Sequence, residues 1–147
     1  MKKVLKIRID ESAEELLEGI GISSSYSDYR LAWTLNDFFH WRLAFHETPL
    51  EIPLKKTKDV VKYHYYHFWD ELEKMQLILI KNRQGGKPLL EDYPQFDFVL
   101  FFKNNFSLDL NQMLDLLRGL ECVFAAYRCN KDDFSIASLL NFEYSYE

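Results

Sequence analysis

The residues best suited to chemistry lie in one run, Leu90-Glu91-Asp92-Tyr93-Pro94-Gln95-Phe96-Asp97-Phe98, which leads into Val99-Leu100-Phe101-Phe102. It sets Asp97 between two aromatic residues at the mouth of an apolar strand, with Asp92 five residues earlier and ahead of a proline. Two carboxylates can share general acid–base work when their surroundings push their pKa values apart. The plainer role is structural. Asp92 would accept backbone N–H groups in the turn, and Asp97 would pair with Arg30 or Tyr29, because a buried acid is tolerated when it is hydrogen-bonded or ion-paired. The expectation is therefore a lock in which Asp97 ties a central strand to a helix.

The remaining reactive side chains offer less. On a strand, His64 and His67 point to opposite faces, and the four histidines (His40, His46, His64, His67) form no HExxH or His-plus-Cys spacing, so no metal site is expected. Cys122 follows a helix end, where the dipole disfavours a thiolate; Cys129 stands near Arg128 and Lys131. Both read as inert residues rather than nucleophiles. Gly85-Gly86-Lys87 lacks the rest of a phosphate loop and reads as a hairpin turn, and GxGxxG and GxSxG are absent, so no cofactor is expected. The segment Tyr63–Trp69 is the binding candidate: as a strand it would carry Tyr63, Tyr65, His67 and Trp69 on one face and His64, Tyr66 and Phe68 on the other. A half-exposed sheet rich in Tyr and His has the composition of a protein interface; the alternative is that one face is core and the other lies under a helix.

Periodicity and capping signals outline the elements that must position these residues. Val4, Leu5, Ile7 and Ile9 suggest an opening strand at about residues 3–9. Ser12 with Glu15 has capping-box spacing, and Leu16, Leu17 and Ile20 predict a short helix stopped by Gly19 and Gly21. A second helix begins near Ser25–Asp28, capped by Ser25 or Ser27, and its wide stripe of Tyr29, Leu31, Ala32, Trp33, Leu35, Asn36, Phe38 and Phe39 predicts burial on more than one side. Trp41–Leu54, with Pro49 and Pro53, reads as an edge strand and a turn. Val60–Trp69 and Met75–Ile80 follow as strands joined by a turn at Asp70-Glu71; Phe96–Phe102, apolar on both faces, predicts a central strand covered on each side. Asp109 with Gln112 caps a helix that runs to about Gly119, Val123–Tyr127 reads as a short strand, and Asp132 or Asp133 could cap a last turn around Ile136–Leu140. Hairpin-length connections in the middle favour an antiparallel meander with helices packed on it, an α+β fold forming a single domain over residues 1–147.

Composition narrows the classes of function. A chain of 147 residues with only 5 Gly and 4 Pro holds one ordinary domain and no long disordered linker. Its 12 Phe, 9 Tyr and 3 Trp mean either a core built of large plates or aromatic surface turned toward a partner. The formal net charge of −5 argues against nucleic acid and anionic membrane as partners. The one local exception, Lys55-Lys56-Thr57-Lys58, reads as a solvated turn. Two scattered thiols fit a cytoplasmic protein, the charged N-terminus lacks the apolar core of a signal peptide, and no apolar run approaches a membrane span.

Two segments, Asp28-Tyr29-Arg30-Leu31-Ala32-Trp33-Thr34-Leu35-Asn36 and the acidic run, resemble the "IPExxxVDY family", small uncharacterised bacterial proteins found mainly in Bacteroidota. In register, Leu90, Glu91 and Asp92 fall on the Ile-Pro-Glu positions and Phe96, Asp97 and Phe98 on Val-Asp-Tyr. The Gly85-Gly86 turn ahead of the motif, the helix from Asp109 and the ending Leu139-Leu140-Asn141-Phe142 are similar too, so the resemblance covers most of the chain. This chain departs from the pattern where the motif proline is Glu91, its acid is Asp92 and its tyrosine is Phe98. The resemblance implies a cytoplasmic bacterial domain and carries no activity with it.

The expected role is interaction rather than catalysis, through a protein partner or self-association on the strand Tyr63–Trp69 or a neighbouring sheet face. The alternative is a small-molecule-binding domain or enzyme with a pocket between sheet and second helix, lined by Tyr29, Trp33, Tyr65 and Asp97.

Overall fold

The computed structural model describes residues 17–53, 59–84 and 87–129. The expected strand at 3–9, the Ser12–Glu15 capping box, the Lys55–Lys58 cluster, the Gly85-Gly86 turn, the last helical turn and the family-like ending lie outside them. The chain runs β1 (Leu17–Ser24), α1 (Asp28–Phe39), β2 (Ala44–Phe45), β3 (Leu50–Pro53), β4 (Val60–Tyr63), β5 (Tyr65–Asp70), β6 (Met75–Lys81), β7 (Arg83–Gln84), β8 (Lys87–Pro88), β9 (Phe98–Lys103), α2 (Leu110–Arg118) and β10 (Val123–Arg128). Six strands form one antiparallel sheet in the order β10-β1-β9-β6-β5-β2, and β3–β4 and β7–β8 pair separately. The fold is α+β. From β2 to β9 the main sheet is a meander; β1 comes from the far end of the chain to lie between β9 and β10.

Strands apolar on both faces need two covers, and the sheet has them. Ile20 and Ile22 of β1, Leu77 and Leu79 of β6, and Leu100 and Phe102 of β9 pack under Leu31 and Leu35 of α1 and Met113 and Leu117 of α2. The alternate residues Ile78, Ile80, Val99 and Phe101 form a second core with Tyr63 and Tyr65, the half-buried Leu50, Ile52 and Val61 of the β3–β4 hairpin, and Leu89, Leu90 and Phe96. β9 is central and covered on each side, as its composition requires.

Both helices have clear caps. The Ser27 hydroxyl accepts from Arg30 N at 3.3 Å to start α1, and His40 ends it in the left-handed region at φ 62°. The Asp109 carboxylate accepts from Asn111 N at 2.9 Å and starts α2. The wide aromatic stripe of α1 is not buried on several sides, however. Leu31, Ala32 and Leu35 face the sheet, while Tyr29, Trp33 and Phe38 are exposed, because the second core on the far side is closed by the β3–β4 hairpin and the Leu89–Phe96 loop rather than by this helix.

The helix expected through Leu17 and Ile20 is a strand instead, and its glycines do not stop a helix. Gly19 and Gly21 pair with Phe101 and Val99 of β9 and leave the second face of the sheet bare at β1. The Phe96 ring fills that space: a Cβ built on Gly21 would overlap it. Tertiary approach, not local termination, demands the glycine. The predicted Gly21→Ala cost is about 2 kcal/mol, from overpacking. Phe96→Ala should cost about 3 kcal/mol. The double variant should cost less than the sum, because removing the ring removes the overlap. Urea denaturation of the three variants measures this, and strictly additive costs would mean that ring and glycine do not meet.

Candidate functional site

The acidic run forms an arch from Leu89 to Asp97 over the second core. Its foundation is Asn82, which directly follows β6. Residues of even number along β6, Ile78 and Ile80, face the second core, and the same period carries Asn82 inward, where it is fully buried. A buried amide must find partners. Asn82 Nδ2 donates to Tyr93 O at 2.8 Å and to Phe96 O at 3.0 Å, and Oδ1 accepts from Leu90 N at 2.9 Å. Its main chain takes two more bonds, accepting from Leu89 N and donating to Asp97 O. Every one of these partners lies in the arch. Within the arch, Tyr93 N donates to Leu90 O and Phe96 N to Tyr93 O, and the Tyr93 and Phe96 rings stack at 5.5 Å.

Asp97 is held at the end of the arch. Its N–H donates to Ile22 O at 2.9 Å; its carboxylate accepts from Ser24 N at 2.9 Å and from Arg83 Nη2 at 2.7 Å. The acid therefore ties β9 to β1 and β7, not to α1. The expected partners are elsewhere: the Arg30 guanidinium lies 3.9 Å over the Tyr26 ring, and Tyr29 faces solvent. Nor is Asp97 deeply buried, with a side chain 31% exposed, so its ion pair contributes little. Asp92 is exposed, and the turn bonds expected of it are made by Asn82. Asp97 is used in strand joining.

The second family-like segment is also used structurally. Asp28 Oδ1 accepts from Tyr29 N at 2.8 Å, Leu31 is fully buried, and Asn36 bonds Leu43 in both directions, at 3.1 Å from Nδ2 to O and 2.8 Å from N to Oδ1. Phe98 is buried in the core under the helices.

The aromatic strand does not supply an exposed face. The segment Val60–Trp69 changes sheet at His64, and Tyr63 and Tyr65 are buried in the second core. Burial raises both phenols above their ordinary pKa. His67 is half-buried, its Nε2 lies 3.0 Å from Gln76 Oε1, and burial holds its pKa below the usual value against the pull of that bond. Trp69 Nε1 donates to Glu71 Oε1 at 2.8 Å. The pocket expected from Tyr29, Trp33, Tyr65 and Asp97 is not assembled: Tyr65 lies on the sheet face away from α1, Tyr29 and Trp33 point outward, and Asp97 joins β1 to β7. Cys122 and Cys129 belong to opposite cores at the two ends of β10, roughly 20 Å apart along a strand and beyond disulfide reach. Burial pushes the Cys122 thiol above its ordinary pKa. Among the described residues, no cluster of three His, Cys, Asp or Glu could hold a metal ion, and no helix is long and apolar enough to cross a membrane.

Exposed aromatic residues lie instead on the outer face of α1 and the edge strand β2, and also at Phe106 and at Phe124 and Tyr127 of β10. Tyr29 and Trp33, one helical turn apart, are 68% and 61% exposed, and Phe45 of β2 is 50% exposed. Phe45 packs edge-on against Tyr66 at 5.4 Å and stacks on His64 at 5.7 Å. Burial, then the charges of Asp28 and Tyr29, raise the Tyr66 phenol above its ordinary pKa. Beneath Phe45, the buried His64 Nδ1 has no hydrogen-bond partner among the described residues. The sequence does not mark the α1–β2 surface, because a helical stripe of aromatics reads as core, nor Asn82, because one amide after an apolar strand carries no motif.

Removing Asn82 should therefore cost more than neutralising Asp97. Asn82→Ala takes the side-chain partner from the buried Leu90 N and Phe96 O and one of the two bonds of Tyr93 O, and should lose about 3 kcal/mol or more. Asp97→Asn keeps an oxygen for Ser24 N and should lose about 1 kcal/mol or less. Chemical denaturation of both variants orders them, and the reverse order would make Asp97 the lock. No family model matches the chain, and no curated protein does.

Proposed function

We propose that this chain is a non-enzymatic protein-interaction module that binds through the outer face of α1 and the adjoining edge strand β2. The observation that carries the reading is the exposure of Tyr29 and Trp33, one turn apart on a well-capped helix. Large aromatic residues are costly to leave in water and are the residues that anchor interfaces. The neighbouring Phe45 extends the surface onto a sheet edge, beyond which no strand pairs among the described residues. Phe38, Phe106, Phe124 and Tyr127 are exposed as well, but Tyr29 and Trp33 stand out as two large rings one turn apart on the same helix face.

The same proposal puts the chain in the cytoplasm of a bacterial cell and within the IPExxxVDY group. In support, both cysteines are buried on opposite faces of the sheet, where they cannot bridge to each other. Among the residues that carry the family resemblance, Asp28, Asn36, Phe96 and Asp97 have structural tasks in this fold.

A photo-reactive amino acid at position 33, in cells that naturally make the protein, tests the interaction surface. The expected result is a discrete protein adduct at position 33 and none from the same group at the exposed Asp92 position, which lies on the arch. Absence of protein adducts at position 33, or the same adducts at both positions, would overturn the proposal.

A further inference from the structure

We propose that the occupant of this surface is a second copy of the chain, docked antiparallel along α1 about a two-fold axis that passes midway between Trp33 and Thr34. The inference rests on the interaction surface described above and names its partner. At 3.6 residues per turn, Tyr29, Arg30, Trp33, Thr34 and Asp37 span an arc of about 140° on the side of α1 opposite Leu31 and Leu35. Arg30, Trp33 and Asp37 recur at i, i+3 and i+7, the spacing of a helix–helix seam. All three are exposed.

The charges on this face suit the face itself. A basic residue stands one turn before Trp33 and an acidic residue one turn after it. When a second helix runs antiparallel about that axis, Arg30 meets Asp37 of the second copy, and Asp37 meets its Arg30. Trp33 lies beside Thr34 of the second copy, and the exposed Tyr29 flanks the seam. Each charge on this face finds its opposite, as an isologous interface requires. Two antiparallel helices also set their dipoles in opposition. The Arg30 guanidinium lies over the Tyr26 ring at 3.9 Å, which anchors its stem while leaving the residue at the surface. A partner of unrelated sequence would have no need of opposite charges symmetrically disposed about Trp33.

The contact is small. A helix of 12 residues is about 18 Å long, and even with Phe45 beside it the face falls below the extent of permanent dimers. The dimer is accordingly a reversible one that forms with rising concentration.

Sedimentation velocity on the full chain tests this, with circular dichroism to establish that each variant is folded. The native chain should pass from monomer to dimer as its concentration rises. Arg30→Asp and Asp37→Arg should each weaken the dimer by about tenfold or more, because both symmetric pairs become repulsive. Mixing those two variants should give a heterodimer, and Arg30→Asp/Asp37→Arg in one chain should restore self-association. Trp33→Ala should weaken the dimer without changing the fold. A native chain still monomeric at about 1 mM, or a dimer indifferent to both charge swaps, or one that the double swap fails to restore, would overturn the inference. A monomer that still gives adducts to a different protein at position 33 overturns the second copy while keeping the interaction surface; a monomer without adducts overturns both.

Discussion

A primary amide in an apolar core imposes a strict condition on the chain around it. Asn82 is fully buried, and its side chain offers two donors and an acceptor that water cannot reach. The fold satisfies them by bending the Leu89–Asp97 segment back over the sheet, so that two carbonyls and one N–H of the arch meet that amide. The path of the arch then determines much else. It sets Phe96 on the bare backbone of Gly21 and brings Leu89 and Leu90 into the second core. It also delivers Asp97 to the ends of β1 and β7. The exposed ion pair between Asp97 and Arg83 is a consequence of this arrangement more than its cause.

Closing the second face with an arch and a hairpin, and not with a helix, explains the distribution of aromatic side chains. Both helices are committed to the first face, and each needs only one apolar stripe there. The opposite stripe of α1 has no structural task within the described residues, yet it carries Tyr29 and Trp33. The aromatic residues of β4 and β5 have the reverse fate. Strand pairing puts Tyr63 and Tyr65 under the β3–β4 hairpin, so the segment richest in aromatic residues is largely internal. Interaction chemistry in this chain thus follows from which faces the topology leaves over.

Much of this could be read from sequence where the signal is local. Ser27 and Asp109 announce the two helices because caps act within one turn, and the continuous apolar runs of β6 and β9 announce central strands because both of their faces must be covered. Signals that depend on distant parts of the chain misled. The two glycines of β1 look like helix stops until Phe96 is known to lie on one of them. Asp97 reads from sequence as a residue in need of a partner, but which partner depends on where the arch lands: Arg83 pairs with it, and Arg30 lies on Tyr26 instead. The α1 stripe looked like core since periodicity reports that aromatic residues share a face and not what covers it. Asn82 had one legible clue, the period of two that carries it onto the face of Ile78 and Ile80.

The central claim, that the Asn82 amide holds the arch, is tested most directly by native-state amide hydrogen exchange in Asn82→Asp. This variant keeps the shape of the side chain but sets an acceptor against the Tyr93 and Phe96 carbonyls. The account predicts that the Leu89, Leu90 and Asp97 amides lose protection together while those of Leu77 and Leu79 in β6 remain slow. Native protection throughout Leu89–Asp97 in this variant would contradict it.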